Sequence, residues 1–306
     1  MAAPPQLRLN IYDAVAANRW RTLALVAVFT AILSLLAYFV GEVVAPGYGL
    51  SLLPVAVGFS GVSATASYFA GDKLVLAQSQ ARELAPNEET QLRNIVETLS
   101  IGLGIQPPRL YVIEDSAPNA FATGRDPAHA SVAVTRGLLD KLDRTETEGV
   151  IAHELSHVVN RDIRVMLLVT VLVGTVALLS DWMMRSLWWG RRGRDRDRGG
   201  GSIIVLIAVV LAVLTPIIAT LIQLAVSRQR EYLADASGAL LTRYPPGLAS
   251  ALKKISADPE PLEVANKATA SLYIANPLKD APRFMDRLFD THPPIAERVR
   301  RLETMG

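Results

Sequence analysis

The chain has no cysteine among its 306 residues. A disulfide scaffold, a thiolate metal site and a cysteine nucleophile are therefore all excluded. Histidine is scarce too, at four in all, so any imidazole chemistry must rest on a few identifiable positions. Charged residues make up only 20% of the chain against 50% hydrophobic, and the net charge is +2. So balanced a charge supplies no electrostatic footprint for nucleic acid. So apolar a composition suits a membrane protein better than a soluble protein of two average domains. No internal repeat is present, which excludes a solenoid.

What is there is organised around four uncharged apolar stretches, measured against the roughly 20 residues an α-helix needs to cross a bilayer. The first runs from Thr22 to Gly41, and the second lies within Val43 to Gly71, rich in the small residues that let membrane helices pack closely. Pro46 and Gly47 mark the short connection from Glu42 to Gly49 as a tight turn, so the two read as a helical hairpin. The first stretch has spanning length and no small-residue cleavage site after it, the pattern of an uncleaved anchor. The third, Val165 to Ser180, has 16 residues and is marginal as a span. The fourth, Gly201 to Ser227, is long enough, with a kink expected at Pro216. Between them lies an arginine- and glycine-rich polar loop that opens with tryptophans suited to a membrane interface.

The expected fold is therefore mainly α with a small β-sheet, divided into an N-terminal transmembrane hairpin (1–71), the first part of a catalytic domain (72–164), a second transmembrane hairpin (165–227) and the rest of that domain (228–306). Helical spacing covers Asn87 to Leu103, and Arg109 to Glu114 (RLYVIE) has strand character. Asn119 to Gly124 (NAFATG) and Ser131 to Thr135 (SVAVT) are placed to pair as a β-hairpin. A helix is predicted to start at Thr145, with Thr145 and Glu148 as a capping box, and no proline interrupts it before Ser180. SRQREYLADASGALLTR likewise continues the fourth stretch without a breaker, and His292 to Leu302 reads as a shorter helix.

The chemistry begins at IAHELSHVVN. Residues four apart share one helical face, so His153 and His157 can reach a single metal ion, with Glu154 beside it. Zinc held by two histidines needs a third protein ligand and keeps a fourth position for water, whose pKa falls toward about 7 on coordination. Glu154 is then placed to take that proton and pass it to a leaving amine, as general base and acid. One group of zinc proteases takes its third ligand from HExxHxxGxxH, but Asn160 and Ile163 stand at those positions here. A carboxylate from a later helix is the remaining candidate. REYLAD offers Glu231 and Asp235 four apart, one able to bind metal and the other to orient a ligand histidine; a solvated acidic pair is the competing reading.

HELSHVVNRD, SRQREYLADASGALLT, NAFATG and THPPIAERVRRL, together with the four apolar stretches, resemble the HtpX family of bacterial membrane-bound zinc endopeptidases, gluzincin-type relatives of the CAAX prenyl proteases. The resemblance spans nearly the whole chain. It implies one zinc ion on His153, His157 and Glu231, Glu154 as catalytic base, and Asp235 behind a histidine ligand. It further implies a multi-pass protein of the bacterial inner membrane, its catalytic domain cytoplasmic, that cleaves misfolded or damaged membrane proteins in quality control. Processing of prenylated substrates is the weaker analogy, because CAAX prenyl proteases enclose their site with more membrane helices than four. By the same resemblance, Asn119, Ala120, Phe121, Ala122 and Thr123 form an edge strand that pairs with the substrate backbone; an ordinary strand with Phe121 in the core is the alternative. His292 and Arg298 are candidates for hydrogen bonds to the oxyanion or substrate, although Thr291, Pro293 and Pro294 also read simply as a helix start. His129, in a turn beside Pro127, is assigned no role.

At about 1.5 Å of helix rise per residue, His157 stands roughly 12 Å from Val165, and Glu231 roughly 6 Å from Ser227. The metal is thus expected just above the membrane surface, where polypeptide substrates leaving the bilayer meet it. Arg19, Arg21, Lys73, Arg82, Arg161, Arg164, Arg228 and Arg230 flank the stretches on that side, which predicts a cytoplasmic site. The arginines of the loop from Arg185 to Arg198 oppose this if the second hairpin spans, so a hairpin that does not fully cross is the alternative. Two rival classes stand against the peptidase. A catalytically silent scaffold has no use for Glu154, and a transporter's helices should carry the ionisable residues that these four stretches lack.

Overall fold

The computed structural model describes residues 11–175, 228–265, 269–277 and 293–305. The chain opens with two long helices, α1 (Ile11–Val44) and α2 (Gly49–Gln78), joined by a turn in which Gly47 adopts φ +86°. Glu42 ties that turn, its Oε2 accepting from the Gly47 N–H at 2.9 Å. A side chain on Gly41 would stand 2.7 Å from the Cα of Gly49, so it is the missing Cβ that lets the helices meet. Among the described residues two helical windows are long and apolar enough to cross a membrane, Trp20–Phe39 and Gly49–Gln78, with mean hydropathy 2.3 and 1.5. Leu23, Leu35, Val55, Val62 and Phe69 lie exposed on them, as suits a lipid-facing surface.

After α2 come β1 (Arg82–Glu83), α3 (Thr90–Leu103), β2 (Arg109–Ile113), β3 (Ala120–Gly124), a single 3-10 turn (Pro127–His129), β4 (Ala130–Thr135) and the short α4 (Arg136–Lys141). The strands form a mixed sheet in the order β1-β2-β4-β3, with β2 and β4 parallel and the other neighbours antiparallel. The expected hairpin is present, Ala120 opposite Val134 and Gly124 opposite Ala130. β3 occupies one edge. Every residue of β3 and β4 is buried, because the sheet is covered on both faces and alternate side chains serve different cores. Val112, Ala122, Val132 and Val134 pack toward the helices that follow. Tyr111, Ile113, Phe121 and Ala133 pack toward Val75, Leu76, Met166, Leu167 and Tyr273.

The central helix is α5 (Arg144–Val159), and two expectations are corrected here. Its cap is Asp143 with Glu146, not Thr145 with Glu148: Asp143 Oδ1 accepts from the Glu146 N–H at 2.9 Å while Glu146 Oε2 accepts from the Asp143 N–H at 2.9 Å. Asp143 satisfies the first free donors of the helix, and Thr145 instead donates its hydroxyl to the same carboxylate at 2.7 Å. The second correction concerns continuity. α5 does not run on into the third apolar stretch; it stops at Val159, Arg161 turns left-handed at φ +58°, and a new helix, α6 (162–175), begins. The reason is tertiary: the Asn160 carbonyl accepts from Asn18 of α1 at 3.0 Å, and Asp162 turns back toward α5. The straight-helix height of the site above Val165 therefore does not hold. α6 packs Leu167 against Gly71 of α2.

The remaining described elements are α7 (Arg228–Thr242), α8 (Pro245–Ala257), a segment from Thr269 to Pro277 with a 3-10 turn at Ala270–Leu272, and α9 (Ile295–Glu303). Helix α9 starts after Pro293 and Pro294, three residues later than His292. α5 lies at the centre, nearly wholly buried between α3, β3, α7 and α8. Of the expected four-helix anchor, the first two stretches fall in helices of membrane-crossing length, α2 running on to Gln78; residues 176–227, with the fourth stretch and the arginine-rich loop, lie outside the described residues, as does His292.

Candidate metal centre

α5 is interior because Val150, Ile151, Ala152, Leu155 and Val158 are buried in the core. His153, Glu154 and His157 are carried inside with them, all at most 4% exposed. Buried polar side chains at that depth need partners. α7 supplies them, and Gly238 sets its approach: a Cβ there would stand 3.0 Å from the His153 backbone nitrogen.

The Nε2 atoms of His153 and His157 face one another at 3.2 Å, and Glu231 closes the triangle, its oxygens 3.7 Å from His153 and 3.5 Å from His157. His153, His157 and Glu231 form a group whose ligand atoms all lie within 4.8 Å of one another. Two ligands of a tetrahedral zinc with bonds of about 2.0–2.1 Å stand roughly 3.3 Å apart. The observed spacings fit that figure. They suit a cradle for a cation, with both Nε2 atoms turned toward Glu231 and each Nδ1, on the far side of its ring, beside a further carboxylate. His153 Nδ1 lies 2.9 Å from Asp235 and His157 Nδ1 lies 3.1 Å from Asp162. A carboxylate beside each Nδ1 is placed to hold a proton there, which in the neutral ring leaves Nε2 free to bind a metal.

Electrostatics follow from the burial of two imidazoles among four carboxylates. Burial lowers His153 to about 4, only partly opposed by its bond to Asp235. Burial also acts to lower His157, but the hydrogen bond to Asp162 and the charge of Glu231 win and raise it to about 9. The negative surroundings that hold a proton there are those a divalent cation would occupy. Burial pushes Glu154 up to about 8, and its Oε2 accepts from the Ala122 N–H at 2.8 Å. A carboxyl group in that range can take and return a proton near neutral pH.

Arg298 of α9 is fully buried and grips Asp235 with Nε at 2.8 Å and Nη2 at 2.6 Å. Its Nη1 donates to the Ile274 carbonyl at 2.9 Å, and the guanidinium stands within 3.8 Å of Glu231. On β3, the Ala120 carbonyl accepts from the Ile274 N–H at 3.0 Å and Asn119 Nδ2 donates to the Ala275 carbonyl at 3.1 Å. The chain thus lays its own segment against the start of the edge strand, with Ala122 next along it bonded to Glu154. Phe121 faces away, stacked edge-on with Tyr273 at 5.1 Å between centroids. The structure therefore gathers His153, Glu154, His157, Glu231, Asp235, Arg298 and Ala122 into one cluster. Asp162 and Ile274 belong to the same cluster and were not anticipated. The signal for Asp162 was the turn after Val159, invisible while α5 was read as unbroken; Ile274 acts through its backbone and left no signal.

Together the fold and this cluster point to a metallopeptidase, with a group able to hold a metal ion on two helices and a buried carboxyl group beside an edge strand. A family model described as peptidase family M48 matches residues 86–306, and the chain belongs to that family. It is 46% identical over 298 residues to the Protease HtpX homolog of Dictyoglomus thermophilum, covering 97% of this chain and 95% of that one. The Protease HtpX homolog of Tropheryma whipplei is 46% identical over 297 residues, covering 97% and 99% of the two chains. The homolog of Listeria monocytogenes is 41% identical over 307 residues, covering 96% and 100%. The crystal structure of S. mikatae Ste24p is similar in fold, with TM-score 0.50 and 20% identity, over 95% of this chain and 67% of that one.

Proposed function

We propose that this membrane metallopeptidase is a zinc-dependent endopeptidase that cleaves misfolded or damaged membrane proteins at the cytoplasmic surface of the bacterial inner membrane. The observation that carries the reading is the convergence of two Nε2 atoms and the Glu231 carboxylate at 3.2–3.7 Å with Glu154 adjoining. His153, His157 and Glu231 would hold one zinc ion, which when bound polarises a carbonyl and makes coordinated water acidic. The chain's own groups supply the rest. Glu154 takes a proton and returns it to the leaving amine. Main-chain pairing with an extended substrate is assigned to the edge of β3 at Ala122, whose N–H would exchange its bond to Glu154 for one to the substrate, a mode that makes few demands on side chains. Arg298 holds Asp235 behind His153 and brings Nη2 within 3.4 Å of the His153 ring itself, so its first role is to position that histidine. His292 remains the candidate oxyanion donor.

Access from the membrane is supported by the position of Asn18. Its side chain reaches Asp162 beside the metal centre, and the apolar window Trp20–Phe39 begins two residues later, about 3 Å along the helix. Cleavage of a membrane-tethered substrate should therefore exceed cleavage of its soluble form, and equal rates would count against this placement.

The test of the chemistry is Glu154→Gln in the purified full-length protein. Cleavage of an unfolded model polypeptide is expected to fall by about 100-fold or more, with zinc content unchanged, and a chelator should abolish wild-type cleavage. Undiminished proteolysis by the variant would sink the mechanism.

A further inference from the structure

The two histidines are held from opposite sides of the molecule, and the support behind His157 leads into the membrane hairpin. Asp162 is 1% exposed and divides its two oxygens. Oδ2 lies 3.1 Å from His157 Nδ1, and Oδ1 accepts from Asn18 Nδ2 at 2.7 Å. Arg230 adds its charge 3.6 Å from Oδ1, and its terminal nitrogens make no hydrogen bond among the described residues. Asn18 is itself fixed. Its Oδ1 accepts from Arg21 at 3.2 Å, which orients the amide, and its Nδ2 also donates to the Asn160 carbonyl at 3.0 Å. That second bond pins the turn at which α5 ends. Three residues from two distant parts of the chain, Asn18, Asn160 and Asp162, thus set where the His157 ring points.

From this geometry we infer that Asp162 is a positioning residue for the metal ligand His157, and that Asn18 of α1 positions Asp162. The seating of the first membrane-length helix thereby sets the metal affinity of the site. The inference rests on the metal-centre reading above and deepens it. On an isolated α5 the carboxylate of Asp162 has no reason to face His157, since residues five apart on a continuous helix lie about 140° apart around its axis. The left-handed Arg161 makes the approach, and the contact with Asn18 holds it. A carboxylate behind a ligand histidine fixes its tautomer and ring orientation, and its loss typically lowers metal affinity 10–100-fold. Asn18 acts one step further out, so a smaller loss is expected.

The experiment measures zinc affinity by competition with a chromophoric chelator on the purified full-length chain, using zinc alone as the probe. Asp162→Asn should bind zinc about 10–100-fold more weakly than wild type, and Asn18→Ala roughly 3–10-fold more weakly. The double variant should be no weaker than Asp162→Asn within about twofold, because the two residues act in series. With cobalt in place of zinc, both single variants should shift the visible absorption of the bound ion, which reports ligand geometry. Glu146→Gln, which disturbs the opposite end of α5, serves as the control and should move neither readout. Should Asp162→Asn fail to fold, the affinity and cobalt spectrum of Asn18→Ala decide the question. Wild-type affinity and spectrum in the Asn18 variant, or affinity within threefold of wild type in Asp162→Asn, would overturn the inference while leaving the metal centre intact. A wild-type chain that takes up no zinc would instead overturn the metal reading, and this inference with it.

Discussion

His153 and His157 look equivalent in the motif, yet they are supported by different halves of the molecule. Behind His153 stand Asp235 and Arg298, from α7 and α9 near the C-terminus, joined by two short charge-assisted bonds. Behind His157 stand Asp162 and Asn18, from the break after α5 and from the first membrane-length helix. The difference shows in their charge. Burial pushes the first ring down to about 4, toward the neutral form, while Asp162 and Glu231 push the second up to about 9, toward binding a cation or a proton. One histidine is held by a clamp inside the peptidase domain, and the other by the seam between that domain and its membrane hairpin.

Removing the first clamp should have the largest effect on stability. Arg298→Ala leaves Asp235 buried without its cation, a change that costs about 3–5 kcal/mol. Thermal unfolding in detergent should show a large fall in midpoint, and an unchanged midpoint would mean that Asp235 finds another partner. A smaller effect is expected from Gly238→Ala. Its new Cβ stands 3.0 Å from the His153 nitrogen, so α7 must shift outward at about 1–3 kcal/mol. That displacement should weaken zinc binding through Glu231 and His153 while sparing the Asp162 side, as a double-mutant cycle with Asn18→Ala would reveal by additivity.

The smallest effect tests neither support and so sets the baseline. Glu146→Gln removes the carboxylate that accepts from the Asp143 N–H, Ser250 and Lys254, and should cost about 1 kcal/mol. Burial acts to raise the Glu146 pKa, but those bonds win and hold it below the ordinary 4.5. A carboxylate with a depressed folded-state pKa contributes stability above its unfolded pKa and loses it as pH falls toward the folded value. Wild type and variant should therefore differ most above pH 4.5 and converge in acid. A difference that grows on acidification would refute the assignment.

The part of the site legible in the sequence is the part encoded by short-range periodicity. His153, Glu154 and His157 declare themselves by spacing on one helix, and Glu231 and Asp235 by the same i, i+4 relation on another. β3 and β4 were readable as a hairpin for a similar reason, two short strand-like runs around a polar turn. The cap of α5 was misplaced by two residues because Asp143 and Thr145 both precede a glutamate at the right distance, and only the folded chain shows which one closes the box.

The break at Arg161 was not legible. Nothing in VVNRDIRV forbids a helix, since it contains neither proline nor glycine. The helix ends there because Asn18, 142 residues before Asn160, takes its carbonyl. Likewise the Ala122 bond to Glu154 and the Ile274 bonds to Ala120 and Arg298 use backbone groups, which every residue possesses and no sequence marks. The sequence by itself determined the peptidase chemistry and the apolar hairpin, since both follow from residue type and local spacing. The tertiary structure alone decided how each histidine is aimed and which helix it answers to, because those depend on contacts between segments whose separation along the chain carries no pattern.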